Sequence, residues 1–115
     1  MAYAAASGAL ASYLEEFSVS LESLNGNGKG SRIKLESERV TLGSGPGATL
    51  VLEAPGVARE HAVIEFWGAA FVLREIDAAR PVTLNGAACR CRELRDGDRF
   101  QLGDLSFEFH CERLV

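Results

Sequence analysis

One cadence constrains this chain more than any other feature. Short segments in which apolar and polar residues alternate are separated, about every eight residues, by Asn-Gly, Asp-Gly or Pro-Gly. Phe17, Val19 and Leu21 alternate with Ser18, Ser20 and Glu22; Ile33 and Leu35, then Val40 and Leu42, do likewise; Leu105, Phe107 and Phe109 oppose Ser106, Glu108 and His110. A period of two puts one set of side chains on one face of an extended strand, which is the pattern of a half-buried sheet. Further runs cover 50–52, 61–66, 71–76, 82–84 and 99–102, so about nine or ten strands are expected. The breaks "NGNGKG", "GSGPG", "APG", "NG", "DG" and "GD" carry the residues that tight turns need. The reading is an all-β chain folded as a two-sheet antiparallel β-sandwich.

The first sixteen residues differ in texture. They are rich in alanine, and Tyr3, Leu10, Leu14 and Phe17 fall where one helix face would collect them. Residues 1–16 are therefore expected to form a short helix or an arm, and 17–115 the sandwich domain.

At 115 residues, with 47% hydrophobic and 24% charged residues, the chain can fill one core and keep its surface wet. A net charge of −4 without any Lys/Arg run lacks the basic patch that a phosphate backbone demands, which argues against nucleic acid as a partner. The start "MAYAAASGALASYLEEF" has neither a basic n-region nor a long apolar block, so neither a signal peptide nor membrane insertion is expected. Three cysteines, Cys89, Cys91 and Cys111, do not make a disulfide framework; the expected compartment is reducing and cytoplasmic. Cys89-x-Cys91 beside His110-Cys111 is the one set with metal-ligand chemistry, but structural zinc sites use wider knuckles that let the sulfurs converge. No metal or other cofactor is expected.

Catalytic patterns fare no better. Ser44 in Gly43-Ser44-Gly45 lacks the G-x-S-x-G elbow, neither histidine has a paired nucleophile, and the glycine loop lacks the Lys-Ser/Thr of a P-loop. The backbone of "GSGPGAT" offers N–H groups of the kind that cradle anions, although a loop between strands needs glycines in any case. An enzyme is not expected.

Four segments in order, "VTLGSGPGATLVL" (40–52), "VAREHAVI" (57–64), "EIDAARPVTLNG" (75–86) and "LRDGDRFQLGDLSFEF" (94–109), resemble the forkhead-associated (FHA) domain. The resemblance covers roughly residues 17–111 and implies a β-sandwich whose loops at one end grip a phosphothreonine in a partner protein. It also implies which residues would do so. The family's phosphate-pairing loop Arg falls on Ser44, its phosphate-bonding Ser on Ala58, and the following Arg and His on Arg59 and His61. In the next loop a Ser or Thr falls on Ala78, the peptide-holding Asn on Arg80, and the Gly and Thr after it on Pro81 and Val82; Ala79 lies between on the same face. Nearly every phosphate contact is replaced, while the scaffold residues Gly43, His61, Asn85, Gly86, Asp96, Gly97, Asp98 and Gly103 are present.

In that family the histidine braces the turn through hydrogen bonds, and His61, after a Pro-Gly turn and at the start of an apolar run, is placed to do so; catalysis or metal binding is the other reading. A phosphate is costly to strip of water without a charge-assisted donor, and Ser44 supplies none. The resemblance therefore implies a protein-binding scaffold or assembly module independent of phosphate, such as FHA-like domains of bacterial secretion systems and multidomain assemblies. The alternative is phosphothreonine binding at a rearranged site built from Arg59 and Arg80.

Overall fold

The alternation that begins at Phe17 becomes two facing sheets in the computed structural model, which describes residues 2–114, with side chains from Gly8 onward. The helix α1 (Ala2–Glu16) is followed by β1 (Phe17–Ser23), β2 (Arg32–Lys34), β3 (Arg39–Gly43), β4 (Leu50–Val51), β5 (Ala62–Phe66) and β6 (Phe71–Glu75). Then come β7 (Val82–Leu84), β8 (Ala87–Cys89), β9 (Cys91–Glu93), β10 (Arg99–Leu102) and β11 (Leu105–Arg113). One sheet has the order β2-β1-β11-β10-β7-β8 and the other β4-β3-β5-β6-β9, so the fold is the expected all-β sandwich.

The period-two residues supply the core. Val19, Leu21, Val82, Phe100, Leu102, Phe107 and Phe109 from the first sheet meet Val40, Leu42, Ala62, Ile64, Phe71 and Leu73 from the second, all nearly inaccessible to water. Phe100 stacks on Phe107 across neighbouring strands at 5.5 Å between centroids. Offset aromatic pairs of this kind add to the burial of their area.

Asn85 (φ 51°) and Gly86 (φ 87°) both adopt left-handed backbone, which makes the β7–β8 connection the two-residue turn that matches the twist of a hairpin. Asn85 Oδ1 accepts from Arg99 N (2.9 Å) and its Nδ2 donates to Asp98 Oδ1 (3.0 Å), tying this turn to the start of β10. Asp98 Oδ2 in turn accepts from Arg95 N, and Asp96 Oδ1 from Cys111 N.

Three details depart from the sequence expectation. The described residues form eleven strands rather than nine or ten, because Ala87–Cys89 and Cys91–Glu93 pair at the sheet edges without an apolar alternation to announce them. The sandwich is not wholly antiparallel: β4 runs parallel to β3 after the 44–49 loop doubles back, held by Thr49 N to Thr41 Oγ1 (2.7 Å) and Thr41 N to Thr49 Oγ1 (3.1 Å). His61 and Ile76, expected within strands, fall just outside β5 and β6.

The helix α1 packs against the end of the sandwich where the β5–β6 hairpin turns. Leu10 is buried, and the Tyr13 ring lies 4.7 Å from Phe17, 5.1 Å from Phe66 and 5.9 Å from Phe71. Tyr13 Oη sits 3.3 Å from Cys111 Sγ, and burial drives this phenol well above its ordinary pKa. Of the helix face expected from sequence, the side chain of Tyr3 lies outside the described residues.

Candidate partner-binding loops

The opposite end of the sandwich carries the 44–49, 52–61 and 76–81 loops, and it is where the sequence placed its candidate residues. Two backbone bonds zip the first two loops together, Ser44 N to Ala58 O (2.8 Å) and Gly45 N to Arg59 O (3.2 Å). This approach is possible because residue 43 is glycine: a Cβ there would run into the Arg59 carbonyl and lie 3.0 Å from Ala58 O. Glycine is selected here by contact with neighbouring backbone rather than by a positive φ.

His61 sits beneath these loops with 1% of its surface exposed. Its Nδ1 accepts from Ala58 N (3.0 Å), which requires the proton on Nε2, and Nε2 faces Pro81 O at 3.4 Å. Its own backbone adds two more links, His61 N to Leu42 O and Ile76 N to His61 O, both 3.0 Å. One residue thus touches the second loop, both ends of the third loop and β3. Among the described residues no group of three or more His, Cys, Asp or Glu is placed to hold a metal ion.

Ser44 does not reach out toward solvent. Its Oγ donates to Val57 O (3.1 Å), so the hydroxyl at the family's arginine position commits its proton to a bond between the first and second loops. Ala58, Arg59, Ala78 and Arg80 share an open depression of about 650 Å³ with Glu60, Ile76 and Asp77. Ser44 and Ala79 do not line it. Asp77 shapes the third loop, accepting Ala79 N at Oδ1 and Arg80 N at its carbonyl, each at 3.0 Å. Glu60 and Asp77 share the depression with the two arginines and carry no motif that marks them in the sequence; the Asp-Ala-Ala turn is the only local hint.

A neighbouring groove of about 350 Å³ is lined by Arg39, Arg59, Arg74 and Glu60. Two of these cations are already engaged: Arg74 makes a forked pair with Glu65 (Nε to Oε1 and Nη2 to Oε2, both 3.2 Å) and Arg39 approaches it at 3.8 Å. The Arg74 hydrogen bonds hold the Glu65 carboxyl below its usual range. Asn85 and Gly86 lie elsewhere, at the far end of β7 from Pro81.

A family profile described as "Inner membrane component of T3SS, cytoplasmic domain" matches residues 22–113. The chain belongs to this family. Its domain is of the FHA type, and domains of this type are protein-interaction modules. The cytoplasmic domain of the T3SS sorting platform protein PscD from P. aeruginosa is similar at 28% identity, with a TM-score of 0.69 over 79% of this chain and 78% of that one. An FHA domain solved in a study of phosphothreonine-dependent FHA interactions is also 28% identical, with a TM-score of 0.73 over 81% and 95% of the two chains. The FhaA FHA domain, solved in complex with the intracellular domain of another protein, is 27% identical, with a TM-score of 0.71 over 80% and 99%. No curated protein matches the chain. Among the described residues of this FHA-type domain, no helix is long and apolar enough to cross a membrane.

Proposed function

We propose that this FHA-type domain is a cytoplasmic scaffold or assembly module of a bacterial T3SS-like apparatus, binding a protein partner without reading phosphothreonine and catalysing nothing. The observation that carries the proposal is the state of the family's phosphate position. The Ser44 hydroxyl donates to Val57 O, Ala58 brings no hydroxyl, and the two exposed arginines share the depression with the acidic residues Glu60 and Asp77. A phosphate carries nearly two negative charges, and here it would enter a depression lined by two anionic residues as well as two cationic ones. Each charge-assisted hydrogen bond is worth about 1.5–3 kcal/mol, so a site that has lost two or three of them has little left to distinguish phosphothreonine from threonine. The family match and the likeness to the PscD domain support the assembly role. On this reading His61 and Gly43 hold the loops in shape, Asn85 and Gly86 brace the β7–β8 turn at the other end of β7, and Ala58, Arg59, Ala78, Ala79 and Arg80 belong to the face that meets the partner.

A second reading is favoured by one specific observation: Arg59 and Arg80 open onto the same depression, and so offer a rearranged anion site. Phosphatase treatment of the partner separates the two. Under the first reading the affinity of the complex is unchanged; under the second it collapses, and Arg59→Glu with Arg80→Glu reproduces the loss.

A further inference from the structure

The topology closes one side of the sandwich and leaves the other open. At the closed side β8 and β9 are joined through the single residue Arg90. At the open side β2 and β4 are the outer strands of their sheets, and between them lies a groove of about 570 Å³. Its lining is mainly apolar, including Ile33, Leu50, Val51 and Leu105, and its only charged members are Glu53 and Asp104. Val51 is 46% exposed, one of three large apolar side chains left in water among the described residues.

The backbone of β2 has a free edge. Ser23 N donates to Ser31 O and Leu35 N to Val19 O, both 2.9 Å, so residues 31, 33 and 35 turn their polar groups toward β1. Alternation along the strand then points the N–H and C=O of Arg32 and Lys34 away from the sheet. An unpaired edge beside an apolar trough is the arrangement that accepts an added strand, with main-chain bonds giving affinity and the trough giving specificity.

We propose that this groove receives an extended segment of a heterologous protein partner, added to β2, with apolar and Lys/Arg side chains on its inward face. The charge argument is local: inward-facing side chains of an added strand meet Ile33, Leu50 and Val51 and come up against Glu53 and Asp104 with no cation in the lining. A second copy of this chain fits badly, because β2 against β2 would set Arg32 and Lys34 beside their own equivalents. The proposal rests on the reading of the domain as a protein-binding module, but not on what its loop end recognises.

The test uses the full chain and two N-acetylated, C-amidated probes, KTVTITVTK and ETVTITVTE, which present the same apolar face with opposite end charges. Binding is read by backbone amide shifts and by hydrogen exchange. The basic probe should shift the amides of residues 32–34 and 50–53, slow exchange at Arg32 and Lys34, and bind at least about tenfold more tightly than the acidic one. Lys34→Pro removes an edge donor without touching a ladder bond, and Val51→Lys places a cation in the trough; each should weaken the basic probe about tenfold while leaving the melting temperature near wild type. Should Lys34→Pro prove unfolded, Val51→Lys alone decides. Equal binding of both probes, no binding by either, shifts confined to the 44–49 and 76–81 loops, or protection of β2 by self-association in the absence of probe would each overturn the proposal. Arg59→Glu with Arg80→Glu should leave probe binding unchanged, so failure at the groove and failure at the loop end are read separately.

Discussion

Replacing His61 by alanine removes the buried side chain that ties the second and third loops of the candidate site together, and the structure sets the size of the effect. The residue is fully enclosed, with 1% exposure, and its Nδ1 is the acceptor for the Ala58 N–H at 3.0 Å. Losing that acceptor leaves a half-buried donor unsatisfied at about 1–3 kcal/mol. The weaker contact of Nε2 with Pro81 O, at 3.4 Å, adds little. The vacated imidazole volume adds a cavity cost, reduced where the neighbouring loops relax into it, and the sum is about 2–4 kcal/mol. For a domain of this size that is a fall in Tm of about 8–16 °C, measured by calorimetry with urea unfolding as a second reading. His61→Asn retains an acceptor where Nδ1 stood and should recover about half of the loss. Partner binding should fall only as far as folding does. Unchanged melting of His61→Ala would refute the bracing argument, as would a stable, fully folded variant that no longer bound its partner.

The remaining predictions concern neighbouring features. Gly43→Ala forces a Cβ against the Arg59 carbonyl and parts the Ser44–Ala58 and Gly45–Arg59 bonds; a destabilisation of about 2–4 kcal/mol is expected in urea unfolding, together with amide shifts through residues 57–60. Glu65 is held ionised by Arg74, so its lowered pKa contributes stability that is fully present above the ordinary carboxylate range and is lost as pH falls through the folded value. Glu65→Gln should therefore flatten the acid side of a stability-against-pH curve and leave its alkaline side unaltered. Ser44→Arg combined with Ala58→Ser and Arg80→Asn should give the domain measurable phosphate-dependent peptide binding by calorimetry, at the cost of the Ser44–Val57 hydrogen bond.

The strands that form the core were legible because their alternation survives in the sequence: Phe107 and Phe109, or Val19 and Leu21, announce both the strand and the face it buries. The turns at Asn85-Gly86 and Asp96-Gly97 were legible for a related reason, since residues tolerant of positive φ are rare and here fall between apolar runs. The edge strands β8 and β9 were not: only Cys89 is buried in them, so there is little apolar pattern to read. For β4 the run at 50–52 announced the strand but not its parallel pairing, which depends on a loop that folds back. The packing of α1 depends on Tyr13 meeting Phe66 and Phe71, contacts between distant parts of the chain that no local pattern encodes. At the candidate site the resemblance gave the positions, but not that the Ser44 hydroxyl donates to Val57 O or that Glu60 and Asp77 line the same depression as the two arginines. The open groove beside β2 follows from strand order, which is a property of the whole topology.

The central claim is that the loop end does not read phosphate, and it is tested most directly by calorimetric titration of the wild-type domain with a phosphothreonine peptide library and with the same peptides unphosphorylated. The account predicts indistinguishable, very weak heats for the two sets. Micromolar binding that disappears on dephosphorylation, and that is abolished by Arg59→Glu with Arg80→Glu, would contradict it.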